Sequence, residues 1–128
     1  YCATFYAYNN SSLGGSITTS GTSTAYNTSS DYRLKENAQP MTGALSTVNQ
    51  LKPCTYNWVS DKSQGKGFIA HELQAIIPEA VQGTKDAVDA EGNPIYQAVD
   101  ASFLIPHLVS AIQELSAEIN ALKAKIGA

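Results

Sequence analysis

The chain has 128 residues, a formal net charge of −3 at pH 7 and two cysteines, Cys2 and Cys54, which fits one domain with a short additional segment. The slight negative charge argues against a nucleic-acid partner, and no apolar run approaches the roughly 18 residues that span a membrane. One cysteine pair gives neither a disulfide framework nor a metal-ligand spacing, so we expect no metal and no cofactor.

A sharp border in composition lies at residue 30. Residues 1–30 contain no Asp, Glu, Lys or Arg, whereas all eight basic and all eleven acidic residues lie from Asp31 onward. The first segment is rich in Ser, Thr, Gly and Asn, and alone it cannot bury enough apolar area to offset its ordering entropy. It is either a flexible linker or a set of short strands paired with other chains, and its Thr and aromatic content favours strands. We therefore divide the chain into residues 1–30 and 31–128. Because the chain opens on Tyr1 rather than Met, we expect it to be the C-terminal piece of a longer polypeptide.

Residues 31–100 predict a mixture of short helices and strands. Leu45, Val48 and Leu51 fall at helical spacing, and prolines end both this helix and the next one. Turn residues between two β-prone runs indicate a hairpin. The predicted elements are, in chain order, a helix over 45–51, a strand over 54–59, a polar loop over 60–67, a short strand over 68–69, a helix over 70–77 and a hairpin over 87–99.

Residues 102–126 have the clearest periodicity in the chain. Two sets of residues repeat every seven positions: Ile105, Ile112, Ile119 and Ile126, and Leu108, Leu115 and Leu122. With Ile at heptad position a and Leu at d, the pattern predicts a self-associating helix, and the alternative is an amphipathic helix that packs on its own domain. Taken alone, this choice of residues favours two strands over three. Ser102 is the predicted N-cap, and Pro106 either marks the start of the helix or kinks it.

A serine and a lysine, Ser30 and Lys35, stand at the border in composition. A serine hydroxyl is a poor nucleophile until a base removes its proton, and a neutral lysine can be that base. An ordinary lysine has a pKa of about 10.4, so such a base needs burial or a neighbouring cation such as Arg33. We therefore expect the site to be inactive until the domain folds or assembles.

The spacing of Ser30 and Lys35 adds a structural requirement. Residues five apart point to opposite faces of a straight strand, and they lie about 140° apart on a helix. Either the backbone bends near Asp31 and Tyr32, or the two side chains come from different subunits. By spacing alone the pair is a weak signal, and two solvated surface residues are the simpler interpretation.

Three stretches of the chain together carry a resemblance. They are SDYRLKEN at residues 30–37, GFIAHELQ at 67–74 with PEAV at 78–81, and LIP at 104–106, which leads into the last helix. They resemble the C-terminal intramolecular chaperone domain of phage tail spikes, tail fibres and endosialidases, a self-cleaving module also found in myelin regulatory factor proteins. The resemblance covers roughly residues 30–126.

The resemblance implies an α+β fold, in which a small mixed helix and hairpin domain carries a long C-terminal helix that forms a trimeric coiled coil. It implies an autoproteolytic serine peptidase that acts once on its own chain, with Ser30 as nucleophile and Lys35 as base. Asp31, Arg33 and Asn37 match motif positions to which no individual role is assigned. The implied trimer interface comprises Leu108, Ile112, Leu115, Ile119, Leu122 and Ile126.

The resemblance also implies partners and a site of cleavage. The domain would trimerise, assist the folding of the preceding β-rich fibre or spike domain of the same chain in the bacterial host cytoplasm, and be absent from the mature virion. It implies cleavage between Ser30 and Asp31. Local geometry favours the Ser29–Ser30 bond, because the Ser30 hydroxyl reaches the Ser29 carbonyl through a five-membered ring but its own carbonyl only through a strained four-membered one. A non-cleaving trimerisation module and a receptor-binding tip of a fibre remain as alternatives.

Overall fold

The computed structural model describes residues 3–6 and 13–127, so the predicted free thiol of Cys2 lies outside the described residues. The chain divides into two compact units, Tyr1–Pro40 and Met41–Ala128. The boundary follows Pro40, so the motif at 30–37 belongs to the same unit as the uncharged first segment. A domain border at residue 30 stays a prediction.

The first unit is a three-stranded antiparallel sheet in the order β1-β2-β3. Its strands are β1 (Ala3–Tyr6), β2 (Leu13–Ser20) and β3 (Ser23–Thr28). A two-residue turn joins β2 to β3, and Gly21 takes a left-handed φ of 61° there, which suits a residue without a Cβ. The prediction of strands is confirmed for the described residues, but these strands pair with each other within one chain.

The second unit mixes short helices with two-stranded antiparallel pairs, as the α+β prediction requires. Strand β4 pairs with β5, and β6 pairs with β7. Its elements are α1 (Ala44–Gln50), β4 (Cys54–Asn57), β5 (Gln64–Gly67), α2 (Ala70–Gln74), β6 (Val81–Gln82), β7 (Ala98–Val99) and the 23-residue α3 (Ile105–Gly127).

A small core lies between α2 and the start of α3. Leu73 and Ile77 are almost completely buried, at 2% and 1% exposure, as predicted. The helix predicted over 70–77 is too long, however, because α2 ends at Gln74 and Ile77 lies beyond it. Ala80, Val81 and Leu104 complete this buried cluster. The cluster therefore joins the middle of the motif-bearing sequence to the segment that begins the last helix.

Two predicted strand positions are wrong. The loop expected over 60–67 contains β5, and residues 68–69 are a connection rather than a strand. Gly65 lies opposite Tyr56, and a Cβ at Gly65 would stand 2.6 Å from the Tyr56 ring. The close approach of this ring explains why the strand has a residue without a Cβ at position 65.

The predicted hairpin over 87–99 is only partly present. An isolated bridge joins Val88 and Pro94 around a turn in which the Asp89 carboxylate accepts a 2.8 Å hydrogen bond from the Asn93 amide. The end of the run, β7, pairs with β6 instead. Tertiary pairing with a distant strand thus outweighs the local turn signal.

The last helix begins differently from the prediction. Asp100, not Ser102, caps the chain here, because its carboxylate accepts from the Ser102 amide at 2.9 Å and from the Ser102 hydroxyl at 2.6 Å. A 3-10 turn over Ala101–Leu104 precedes α3. Pro106 is the second residue of α3, where a helix needs no amide donor, so it marks the start of the helix.

Helix α1 packs against α3, and one carboxylate holds its first turn. Glu114 of α3 accepts hydrogen bonds from the backbone amides of Ala44 at 3.0 Å and Leu45 at 2.8 Å. These amides have no partner inside the helix, and a carboxylate at this end also opposes the positive end of the helix dipole. Glu114 therefore fixes α1 on α3, which the sequence did not predict.

Glu114→Ala is expected to lower the free energy of unfolding by about 1–2 kcal/mol, because two helix-terminal amides lose their acceptor. Chemical denaturation followed by circular dichroism measures this difference. Glu118→Ala, one turn further along the helix at an exposed position, is the control and should change stability little. Equal effects of the two substitutions would contradict the role of Glu114.

Candidate active site

The side chains of Ser30 and Lys35 meet within one chain. The Lys35 amine donates a hydrogen bond to the Ser30 hydroxyl oxygen, with Nζ and Oγ 2.6 Å apart. Both residues are exposed in the single chain. The contact places a nitrogen that can act as a base directly on the hydroxyl whose proton it would accept.

A short turn between the two residues makes this contact possible. Residues Tyr32–Leu34 form a 3-10 turn, in which the Leu34 amide donates to the Asp31 carbonyl at 3.0 Å and the Lys35 amide donates to the Tyr32 carbonyl at 3.1 Å. The chain bends at Asp31 and Tyr32, so of the two arrangements that the spacing allows, the structure has the bend within one chain.

Asp31 holds this turn through its side chain. It is the N-cap of the turn, and its carboxylate accepts from the Arg33 backbone amide at 2.9 Å. The same carboxylate accepts two hydrogen bonds from the Arg33 guanidinium, from Nε to Oδ1 and from Nη2 to Oδ2, both at 2.9 Å. Asp31 and Arg33 are thus joined by a bidentate ion pair across the turn that carries Lys35 back to Ser30.

The ion pair shifts the protonation of both partners. The side-chain hydrogen bond of Arg33, followed by its backbone hydrogen bond, lowers the pKa of Asp31, and the bond to Asp31 raises the pKa of Arg33. Arg33 was a candidate for the neighbouring cation that helps a lysine to lose its proton. The structure pairs this guanidinium with a carboxylate, so its charge is balanced rather than free.

The residue before the candidate nucleophile is fixed to the sheet. The Ser29 amide donates to the Gly14 carbonyl at 3.1 Å, and the Ser29 hydroxyl donates to the Leu13 carbonyl at 2.8 Å. Ser30 is therefore the first residue beyond this anchor. Asn37 follows the dyad with a left-handed φ of 53°, a conformation that Asn tolerates better than most residues.

The candidate trimer interface lies along one exposed stripe of α3. The predicted helix is present, and in the single chain each of its six proposed interface side chains is between 41% and 85% exposed. They are Leu108, Ile112, Leu115, Ile119, Leu122 and Ile126. The residues of α3 that the single chain buries are Ser110 and Ala111, which lie outside this heptad set. The leucine and isoleucine stripe is therefore substantially exposed in the single chain, and its role in association remains a prediction.

Other kinds of site find no support in the described part of the chain. No group of three or more His, Cys, Asp or Glu residues among residues 3–6 and 13–127 could hold a metal ion. Over the same residues no helix has both the length and the apolar character that crossing a membrane requires. Cys54 is a half-buried free thiol.

A comparison with known protein families identifies the segment that contains the dyad. A sequence model of the family described as chaperone of endosialidase, which is named as peptidase family S74, matches residues 30–82. Residues 30–82 belong to the chaperone-of-endosialidase family. The family segment begins at Ser30, where the border in composition lies, and extends through the turn, α1, the β4–β5 pair, α2 and β6.

Curated relatives of the chain extend the similarity beyond the chaperone-of-endosialidase segment. The chain is 35% identical over 106 residues to the long tail fiber protein Gp37 of Enterobacteria phage K3, which covers 76% of this chain and 8% of that protein. It is 39% identical over 101 residues to Gp37 of Enterobacteria phage M1, covering 73% of this chain and 38% of that protein. A probable tail fiber protein of Escherichia phage Phieco32 is 33% identical over 101 residues, covering 76% of this chain and 13% of that protein. The chain thus corresponds to a small part of each of these fibre proteins.

Proposed function

We propose that three copies of this chain associate through α3, assist the folding of the tail-fibre segment of their own polypeptide, and are then released by autoproteolysis at Ser30. The single observation that carries the proposal is the 2.6 Å contact between Lys35 Nζ and Ser30 Oγ at the first residue of the family match. The family's classification as a peptidase and the tail-fibre names of the relatives support it.

The first chemical step is proton removal. When the Lys35 amine is neutral, the hydrogen bond reverses and the Ser30 hydroxyl donates its proton to Nζ, which leaves a nucleophilic alkoxide. The ammonium formed at Lys35 then returns this proton to the amine nitrogen that leaves as the peptide bond breaks. No cofactor is needed, because the two side chains supply both the nucleophile and the proton carrier.

Two bonds are candidates for cleavage. If Ser30 Oγ attacks the Ser29 carbonyl, the C–N bond breaks, an ester joins the two residues, and water hydrolyses it to a Ser29 carboxylate and a free Ser30 amine. The backbone amide of Ser29, the residue attacked on this route, is hydrogen-bonded to the Gly14 carbonyl of β2. If the Ser30–Asp31 bond breaks instead, a water activated by Lys35 attacks the Ser30 carbonyl, which frees the Asp31 amine and leaves a Ser30 carboxylate. Alternatively, the Ser30 hydroxyl of a second subunit attacks this carbonyl and frees the Asp31 amine, and water then hydrolyses the ester that joins the two subunits.

Assembly is the step that we expect to switch the site on. In the single chain Ser30 and Lys35 are exposed to water, which favours the charged form of a lysine. A neighbouring subunit that covered the site would remove this water and favour the neutral amine. The exposed heptad stripe of α3 is the surface that we propose to bring three subunits together.

Association through α3 gives a physical basis for chaperone action. The strands of a fibre trimer pair over long sequence separations or between chains, and loop closure and association entropy oppose that pairing. Holding three chains by one helix raises the effective concentration of the segments that must pair. Removing the chaperone afterwards leaves a product that cannot easily unfold. We propose that this takes place in the host cytoplasm and that the released domain is absent from the mature virion.

The mass of the released fragment tests this proposal and identifies the bond. The full chain is incubated and its fragments are measured by intact mass spectrometry. We expect a large fragment that begins at Ser30 or at Asp31, and a chain that stays whole would contradict the autoproteolytic part and favour a non-cleaving trimerisation module.

If a parent fibre that lacks residues 31–128 folds normally, the chaperone role is wrong. If the uncut segment persists on mature particles, the receptor-binding alternative gains support.

A further inference from the structure

The unit that contains the dyad has few charged side chains. Residues 1–30 carry no charged side chain, so the charged residues of the unit Tyr1–Pro40 are Asp31, Arg33, Lys35 and Glu36. The unit contains no histidine. Tyr26 and Tyr32 are the remaining titratable side chains among those that the structure describes in this unit.

We propose that the ion pair of Asp31 and Arg33 positions and charge-balances the dyad, with Asp31 setting the turn and Arg33 neutralising the Asp31 carboxylate. This inference rests on the proposed function. It assigns to both residues a role as positioning residues, since neither of them contacts the Ser30 hydroxyl in the structure.

The turn requires an acceptor at residue 31. The Asp31 carboxylate caps the 3-10 turn by accepting from the Arg33 backbone amide, and this turn is what reverses the chain between Ser30 and Lys35. An uncapped chain would return to the straight strand or helix in which residues five apart do not meet. Asparagine can accept the same backbone hydrogen bond, because its side-chain oxygen is equivalent as a cap.

The charge of the same carboxylate is paired with the charge of Arg33. A carboxylate next to a lysine favours the protonated amine, which cannot act as a base. The bidentate contact brings the positive charge of Arg33 onto both oxygens of Asp31. An aspartate is ionised at the pH where a lysine titrates, and the Arg33 hydrogen bonds, which lower the pKa of Asp31, stabilise this ionised form.

The inference is tested by substituting Asp31 and Arg33 singly and together. The quantity measured is the pH midpoint, at which cleavage reaches half its maximal rate. Arg33→Gln leaves the Asp31 charge unbalanced and should raise that midpoint by about half a pH unit at low ionic strength. Asp31→Asn keeps the cap, leaves the Arg33 charge unbalanced, and should lower the midpoint by a similar amount. The double variant Asp31→Asn, Arg33→Gln should return it towards the wild-type value. Salt at 1 M should reduce both single shifts, because it screens interactions between exposed charges. Glu36 and the tyrosines are the same in every variant, so they do not cause differences between the variants.

Geometry and charge are separated by one further variant. Arg33→Lys keeps the positive charge but cannot form the bidentate contact, so it should slow cleavage without moving the midpoint. Single variants that shift the midpoint in the same direction, or leave it at the wild-type value, would overturn the inference. If neither wild type nor Ser30→Ala is cut at any pH, the proposed function itself fails. If wild type is cut and Ser30→Ala is not, the midpoints alone decide the inference.

Discussion

Ser30→Ala is expected to abolish cleavage, and Lys35→Ala is expected to slow it by roughly 10²–10⁴-fold, the contribution of a well-placed general base. The first substitution removes the nucleophile, and the second removes the amine that lies 2.6 Å from it. Time courses on denaturing gels, with intact mass spectrometry of the products, measure both effects on the full chain.

Two other substitutions serve as matched controls for the dyad. Ser29 is the adjacent serine, but its hydroxyl is bonded to backbone carbonyls. Lys85 is a lysine whose amine pairs with the exposed Asp86 in the second unit. Ser29→Ala and Lys85→Ala should both be cut at close to the wild-type rate. Normal cleavage of Ser30→Ala would mean that another group is the nucleophile, and normal cleavage of Lys35→Ala would remove the dyad.

Leu115→Asp, alone or combined with Ile119→Asp, is expected to convert an assembled chain into a monomer. Both positions lie on the exposed heptad stripe, at 43% and 49% exposure in the single chain. Covering such a side chain in a coiled coil contributes about 1.5–3 kcal/mol, and an uncompensated buried carboxylate adds a penalty. Sedimentation velocity at several protein concentrations measures the loss of the assembled species.

Gln113→Asp is the matched control for this surface. It introduces the same side chain two residues away, at an exposed helical position outside the heptad set. It should leave association and cleavage unchanged, while Leu115→Asp should lose both. Circular dichroism establishes whether each variant keeps its helix. A Leu115→Asp variant that still assembles would show that the proposed interface is wrong.

The sequence predicted best the elements whose signal is local and periodic. Helix α1, the inward residues Leu73 and Ile77, and the long α3 all follow from apolar spacing and from prolines at the helix ends. Strand β5 was missed because its residues are polar and glycine-rich, and only the ring of Tyr56 on the facing strand explains why they pair. The start of α3 was misplaced because the true cap, Asp100, lies before a 3-10 turn rather than before the α-helix itself.

The candidate site was predicted in its residues but not in its geometry. The motif indicated Ser30 and Lys35, and their spacing required a bend or a second subunit. The choice between these two depended on a side chain that folds back on the backbone, the Asp31 cap, which helical and strand periodicities do not describe. The pairing of Asp31 with Arg33 was missed for the same reason, because it depends on the turn that the Asp31 cap forms.

The number of chains in the assembly also depends on more than the heptads. Ile at a and Leu at d favour a two-stranded coiled coil, whereas the family resemblance implies three chains. Helix α1 packs on part of α3 and is held there by Glu114. This packing can limit how the α3 helices of different chains approach one another. We propose the trimer on this basis, and a direct mass measurement distinguishes it from a dimer.

Whether assembly precedes cutting is tested most directly early in the reaction. The species are separated by chromatography with in-line light scattering, and the chains in each fraction are then measured by mass spectrometry. The account predicts that cut chains occur first in a species with three times the mass of one chain, while chains in the monomer fraction are intact. Chains already cut in a fraction that has never assembled would contradict it.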